Sequence, residues 1–398
     1  MIRGYPHHKF DILCGFLYHE HMLFNRSQDI TQSLSPKRVL VIYGPRRVGK
    51  TTLVKAYLAS LPKEKSIKYD VGDDIALRRL LGSEQRKDIL DYARPYDVIV
   101  IDEAQQIPHI GLAAKIMIDE FPNKTIILTG SSSFDLSQHI GEPLTGRHYT
   151  LTLLPIAQTE VFGNSFEKKQ HLEDFLVYGS YPEVLTVDTH PEKERILREL
   201  VASYLFKDIL ALDRLRSPEL LIDITRCLAF QVGNEVSFNE IARTVKTDVK
   251  TVQRYVDVLE KSFVIKKVRA YSTNKRNEIA KRVKFYFYDT GVRNAVIGQF
   301  NPLASRNDIG ALWENFIFME LAKRSVLADA DDAYYFWRTT AQKEIDIIRQ
   351  SGDAITAYEC KFSSHASKNV RIFSELYPHA KTHVVNKDNY SELLLSLI

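Results

Sequence analysis

The run RVLVIYGPRRVGKTTLVKAYLASL, residues 38–61, passes from a β-branched apolar strand through a glycine-bounded loop into a helix. Val39 to Tyr43 reads as strand, and Gly44-Pro45-Arg46-Arg47-Val48-Gly49-Lys50-Thr51 fits GxxxxGK[ST] in the strand–loop–helix setting that pattern requires. Glycines in such a loop let backbone N–H groups wrap phosphates, and the helix N-terminus adds partial positive charge. Lys50 is placed to neutralise the β- and γ-phosphates, and Thr51 to hold Mg²⁺. The expected ligands are ATP and Mg²⁺, with Gly44 through Thr52 as the cradle.

Two further strands extend this reading. YDVIVIDEAQQIP, residues 96–108, is continuously apolar until its C-terminal acids, as a parallel strand buried on both faces requires. Asp102 is the expected partner of the Mg²⁺ shell, and Glu103 the group that polarises the attacking water. Adjacent acids at a strand end also suit a helix N-cap. In TIILTGSSSFDLS, residues 125–137, Ser131 and Ser132 stand where a hydroxyl senses a γ-phosphate or caps the next helix. In GEPLTGRHYTLTLLP, residues 141–155, Arg147 precedes a fifth strand, as an arginine finger or as a surface residue. Strands near 39–43, 66–70, 97–101, 125–129 and 149–154, separated by helical stretches, give a parallel α/β sheet.

The totals bound the rest. A chain of 398 residues exceeds one ordinary core and implies two or three domains. No apolar run approaches the roughly 18 residues of a membrane span, and the N-terminus lacks a signal-peptide pattern. Cys14, Cys227 and Cys360 are scattered and form no CxxC pair, which predicts a reducing, cytoplasmic setting without a disulfide or zinc framework. His7, His8, His19 and His21 cluster loosely, with no third ligand at metal spacing.

The net charge of +4 is unevenly spread. Between residues 240 and 284 stand thirteen basic and five acidic residues, so the remainder is slightly acidic. SFNEIARTVKTDVKTVQRYVDVLEKSFVIKKV, residues 237–268, reads as helix, turn, helix, strand, and RAYSTNKRNEIAKRVKFYFYDTG as the returning strand of a wing. Lys250 and Arg254 fall on one helix face, and Lys275 and Arg276 at the wing tip, as the candidate DNA contacts. A solvated winged helix used for protein contacts is the competing reading.

Near the C-terminus, KEIDIIRQSGDAITAYECK, residues 343–361, predicts a hairpin about Gly352-Asp353. That register sets Asp346 opposite Glu359 and Glu344 opposite Lys361 on one face, with Ile345 and Cys360 on the other. Opposed carboxylates repel unless something positive lies between them. A divalent metal meets that need; so does Lys361, paired with Glu344 and quieting the acids without catalysis.

GPRRVGKTT, VIVIDEAQ, LTGSSS, TGRHYTLTLLP, LVYGSYPEV, FYFYDTG, LWENFIFMEL, YYFWR and YECK occur here in an order that resembles one prokaryotic family. Its members are AAA+-type P-loop ATPases with a winged helix and a C-terminal PD-(D/E)XK nuclease-like domain. The resemblance covers most of the chain from about residue 36 and supplies no substrate. It implies ATP binding and a finger role for Arg147. With Glu314 from the preceding helix, Asp346, Glu359 and Lys361 match the E…D…ExK arrangement, in which the acids hold Mg²⁺ and the lysine activates water.

The expected fold is thus α/β: a P-loop NTPase parallel sheet with helical lid, a winged helix, and a C-terminal α/β restriction-endonuclease-like domain. The expected domains are an ATPase core at 1–160, a lid at 161–215, a winged helix at 216–292 and the nuclease-like domain at 293–398. The expected activity is Mg²⁺-dependent ATP hydrolysis that binds or remodels DNA, with Lys50, Glu103 and Arg147 catalytic. The alternatives are a nucleotide-switched protein scaffold and an ATP-gated metal-dependent DNA nuclease. A homo-oligomer is an open expectation, a ring included, and a membrane partner is not expected.

Overall fold

The computed structural model describes residues 24–131, 143–203, 217–271, 283–339, 341–363 and 367–395. Lys275 and Arg276, the N-terminal histidines, Cys14 and Ser132 lie outside the described residues. Among the described residues no helix is long and apolar enough to cross a membrane.

The first sheet contains β1 (Val39–Tyr43), β2 (Ile67–Val71), β3 (Val98–Asp102), β4 (Thr125–Gly130) and β5 (His148–Thr152), in the order β2-β3-β4-β1-β5. Every pairing in it is parallel. β1 and β3 are buried along their whole length because both faces are covered. Val39, Val41 and Tyr43 enter one apolar cluster and Leu40 and Ile42 the other, following the two-residue period of the strand.

The helices that bear on the site are α1 (Lys50–Ser60), α2 (Leu172–Tyr178), α3 (Pro182–Leu185), α4 (Pro218–Phe230), α5 (Phe238–Thr244), α6 (Val249–Lys261), α7 (Thr290–Ile297), α8 (Ile309–Leu327) and α9 (Lys368–Leu376). Asp248 caps α6, its carboxylate accepting from Thr251 N–H at 2.9 Å, and Lys246 takes φ of +54° in the turn that precedes it. Val252, Tyr255, Val256 and Leu259 bury one stripe of α6.

A second sheet holds β6 (Ile265–Ala270), β7 (Val283–Phe287), β8 (Asp332–Arg338), β9 (Glu344–Ser351), β10 (Ala354–Cys360) and β11 (Lys381–Val385), in the order β11-β10-β9-β8-β6-β7. The wing strands expected to belong to a separate domain are therefore continuous with the C-terminal strands. Arg269 pairs with Tyr335 and Ala270 with Phe336 across the parallel β6–β8 seam. One apolar cluster also runs from Leu40 through Tyr286 and Trp313 to Leu394, so no gap in the core falls at residue 292.

Candidate functional site

β1 delivers the glycine loop to the C-terminal edge of the first sheet. Gly44 has φ of +151°, and a Cβ there would lie 2.0 Å from the carbonyl oxygen of Leu153, so backbone contact alone excludes a side chain. Gly49, at φ of +95°, caps α1 without a side chain. The buried Lys50 ammonium donates to the carbonyls of Gly44 at 2.9 Å and Pro45 at 2.8 Å. Burial pushes its pKa down to about 8 against the pull of Glu103 and Asp102. A buried cation whose acceptors are neutral carbonyls suits an arriving phosphate anion, so the donor set fits a nucleotide.

Asp102, at the end of β3, accepts hydrogen bonds from Thr51 Oγ1 at 2.7 Å, from Tyr69 OH at 2.6 Å and from Thr129 Oγ1. Burial raises its pKa, but the Thr129, Tyr69 and Thr51 hydroxyls outweigh it and hold the carboxyl below its ordinary value. Thr51 and Asp102 thus put a hydroxyl and an ionised carboxylate side by side, a hard-oxygen pair that fits Mg²⁺. Glu103 follows at φ of +51°, in the left-handed region. Its backbone passes so near Gly72 that a Cβ on Gly72 would lie 2.2 Å from the Glu103 carbonyl oxygen.

Gln105 is a site residue that the motif reading left without a role. Its Nε2 donates to Glu103 Oε2 at 2.5 Å and to Ser131 Oγ at 3.2 Å, linking the end of β3 to the end of β4. The signal was present in VIVIDEAQ, where an amide follows the acid by two residues.

Beside the loop opens a cavity of about 610 Å³ lined by Arg26, Val48, Gly49, Thr52, Pro182 and Glu183, among others. Arg26 is anchored by Glu160 at 3.0 Å and by the Leu154 carbonyl at 2.9 Å. Arg47, half-exposed, pairs with Glu183 across the mouth at 3.3 Å. Neither the segment before β1 nor the residues of α3 could be assigned to this wall from spacing, because both reach it only through the fold.

Arg147 stands elsewhere. β1 and β5 are parallel, with Val39 opposite His148 and Tyr43 opposite Thr152. Arg147 therefore lies at the N-terminal edge of the sheet, roughly 16 Å of strand from the loop edge at about 3.3 Å per residue. Its guanidinium pairs with Asp119 at 2.7 Å, and both side chains are exposed. Within one chain, this guanidinium therefore stands away from the glycine loop.

Lys250 and Arg254 are exposed on α6, one turn apart. Lys284 falls in the same basic run but does not belong to this surface. It is fully buried, and its ammonium pairs with Glu314 at 2.9 Å and with Glu344. Burial would lower its pKa, but Glu314, Asp346 and Glu344 overcome that and raise it.

The four residues of the expected nuclease centre do share one region, in a different arrangement. The hairpin register is as expected from Ala354 opposite Ser351 to Tyr358 opposite Ile347. On its other side, however, β9 carries a bulge: Tyr335 to Trp337 of β8 spans Ile348 to Ile345. The alternation breaks there, so Ile345 joins the apolar cluster of Ile348 and Phe373 while Cys360 joins that of Trp313. Ile345 and Cys360 do not share a face. Asp346 Oδ2 accepts from the Cys360 N–H at 2.7 Å. Glu359 Oε1 accepts from Ser367 Oγ at 3.0 Å and pairs with Lys361 at 3.0 Å, whereas Lys361 stands 3.9 Å from Asp346. The expected Glu344–Lys361 pair is replaced by Glu344 with Lys284 and Arg338.

Glu314 Oε1 accepts from Lys284 Nζ and, at 2.5 Å, from Tyr286 OH. Burial, then Glu314 and Glu359, push the Asp346 carboxyl well above the usual carboxylate range. Among the described residues no three His, Cys, Asp or Glu side chains converge as a metal site. An ammonium, rather than a gap, stands among Glu314, Glu344 and Asp346.

Comparison with known proteins divides the chain in three. Residues 36–162 match an AAA domain, residues 169–303 a domain of unknown function (DUF8612), and residues 309–394 a domain of unknown function (DUF4143). An uncharacterized protein of Haemophilus influenzae is 25% identical over 395 residues, covering 94% of this chain and 92% of that protein. An uncharacterized protein of Mycobacterium tuberculosis is 27% identical over 342 residues, covering 85% of this chain and 73% of that one. Among solved structures, domain III of the Thermotoga maritima replication initiation protein DnaA matches with 14% identity and a TM-score of 0.25, over 55% of this chain and 82% of its own. Drosophila ORC bound to DNA matches with 11% identity and a TM-score of 0.25, over 69% and 93%. The AAA match takes in the glycine loop, Asp102 and Glu103 together, and that part of the chain is similar to AAA-type ATPase domains, which points to nucleotide binding.

Proposed function

We propose that the chain is a Mg²⁺-dependent ATPase whose turnover is coupled to DNA held on α6. The observation that carries the enzymatic half is the meeting of Thr51 Oγ1 and Asp102 Oδ2 at 2.7 Å beside a buried Lys50, with Glu103 next along the strand edge. Mg²⁺, when bound, neutralises charge on the phosphates. Lys50 supplies a second positive charge there, Thr51 and Asp102 hold the metal shell, and Glu103, oriented by Gln105, polarises the attacking water. Ser131, tied to the same glutamine, reads whether a γ-phosphate is present.

For the DNA half, α4 to α6 with the β6–β7 pair form a winged helix in this proposal, and the exposed Lys250 and Arg254 face the phosphate backbone. The strands β8 to β11 with α8 form the nuclease-like unit. An ATP-gated nuclease is favoured by one observation: Glu359 Oε2 is buried with no hydrogen-bond partner among the described residues, next to Lys361. Lys284 among the acids weighs against it.

The test is ATP turnover and DNA cleavage with single-stranded, duplex, forked and four-way DNA, in wild type, Lys50→Ala and Asp346→Asn. DNA-stimulated turnover lost in Lys50→Ala supports the proposal. Turnover indifferent to every DNA, with none retained at moderate salt, replaces it with a nucleotide-switched scaffold. Metal-dependent cutting abolished by Asp346→Asn would establish the nuclease.

A further inference from the structure

Two motifs, LVYGSYPEV and FYFYDTG, are not used by the nucleotide chemistry, yet they meet beside it. Gly179, the residue after α2, has φ of +74° and ψ of −155°, a conformation essentially restricted to glycine. A Cβ at Gly179 would lie 2.1 Å from Asp289 Oδ1. The next residue, Ser180, donates its backbone N–H to Asp289 Oδ2 at 2.7 Å. Asp289 is buried, and its other oxygen caps α7 by accepting from Val292 N–H at 2.9 Å.

A second buried group grips the same point. Lys323 of α8 donates to Ser180 Oγ at 2.9 Å, to the Ile156 carbonyl at 3.1 Å and to Glu320 Oε1 at 2.9 Å. Glu320 Oε2 in turn accepts the backbone N–H of Gln158 at 2.9 Å. Ser180 closes the ring by accepting from Ile156 N–H at 3.0 Å. Ile156 lines the nucleotide cavity, and so do Pro182, Glu183 and Thr186, which begin two residues beyond Ser180.

We infer that Asp289 and Lys323 are positioning residues for the nucleotide: from the C-terminal half of the chain they fix Ser180, and through it the α3 wall of the cavity. This rests on the nucleotide-site reading above. Neither residue lines the cavity or reaches the loop, so they act on affinity rather than on the reacting atoms. Because coupling is reciprocal, a ligand that shifts α7 or α8 changes nucleotide affinity, and nucleotide changes that ligand's affinity by the same factor.

The test is equilibrium binding of a fluorescent ATP analogue, with KM and kcat for ATP, in full-length wild type, Asp289→Asn, Lys323→Met and Ser180→Ala. Asp289→Asn and Lys323→Met are expected to weaken binding and raise KM about tenfold, the effect of one charge-assisted hydrogen bond, with kcat changed by less than about threefold. Ser180→Ala keeps the backbone bond to Asp289 and loses only the hydroxyl, so about threefold is expected, and it serves if the buried-charge variants fail to fold. Asp332→Asn, which breaks a buried contact to Arg349 on the same half of the chain, is expected to leave affinity unchanged. Wild-type affinity in a folded Asp289→Asn or Lys323→Met overturns the inference, as does wild-type affinity in Ser180→Ala where neither of those folds, or an equal loss in Asp332→Asn. No analogue binding by wild type overturns the nucleotide-site reading itself.

Discussion

Lys284 of β7 and Glu314 of α8 form a buried ion pair at 2.9 Å, thirty residues apart in the chain, with Lys284 wholly screened from water. The same ammonium reaches Glu344 of β9, so one cation ties β7, a long helix and the hairpin. Lys284→Met leaves these acids without their cation, and a loss of about 3–5 kcal/mol in unfolding free energy is expected. Adding Glu314→Gln to that variant should restore part of it. A urea midpoint within error of wild type for Lys284→Met would show that the pair is not a strut.

Gly44 and Gly49 both take positive φ, yet for different reasons. A Cβ at Gly44 meets the Leu153 carbonyl, whereas one at Gly49 meets nothing within 4 Å. Gly49→Ala should therefore cost only backbone strain, about 1–2 kcal/mol, and Gly44→Ala clearly more. Thermal unfolding of the two variants without nucleotide checks the order; equal losses would refute the steric account.

Glu103 and Gln105 should separate in kinetics. Glu103→Gln is expected to lower kcat by about 10²–10⁴ while nucleotide still binds. Gln105→Leu, which leaves the acid but frees its carboxylate, should lower kcat by about tenfold, a change of about 1.4 kcal/mol in the barrier. Single-turnover hydrolysis reads both, and an unaltered rate in Gln105→Leu would remove its orienting role.

Duplex DNA binding offers a salt test. Lys250→Ala and Arg254→Ala should each flatten the slope of log affinity against log salt by about 1 and weaken all sequences alike. Lys284→Met should leave that slope unchanged, because a buried ammonium meets no phosphate. A slope that is unmoved in both surface variants would take α6 away from the DNA.

Acid stability should carry the mark of Asp308. Arg306 donates to it twice at 2.8 Å, and Arg293 adds a third bond. Burial raises its pKa, but the bonds from Arg306 and Arg293 prevail and hold it below the ordinary value. A folded-state value under the unfolded one means that this contribution is complete above about pH 4 and is lost as pH falls through the folded value. Asp308→Asn should cost about 2 kcal/mol at neutral pH and flatten the acid limb of the stability curve. An unchanged acid limb in denaturant melts between pH 2 and 6 would count against it.

What the sequence revealed depended on how local the cause was. The buried parallel strands, the glycine loop and the 351–354 turn each rest on a period or spacing within a few residues, and each was legible. The β9 bulge was not, because it arises from pairing with β8, whose register no hairpin rule contains. Lys284 reads as one more cation in a basic run, since its acids come from α8 and β9. Arg147 precedes β5 as its spacing predicts, but only the parallel pairing shows that the start of that strand is the edge away from the same chain's glycine loop.

The continuity of β6 with β8 also bears on how the chain is made. The first sheet is complete in sequence by Thr152, whereas the β6–β7 pair leaves the ribosome some forty to sixty residues before β8, which pairs with the end of β6 at Arg269 and Ala270. Until β8 emerges, the backbone groups at that end of β6 lack their partner strand, a template for wrong pairing with another nascent chain. Truncation after residue 292 would make that transient state permanent, so aggregation is the expected fate of such a fragment.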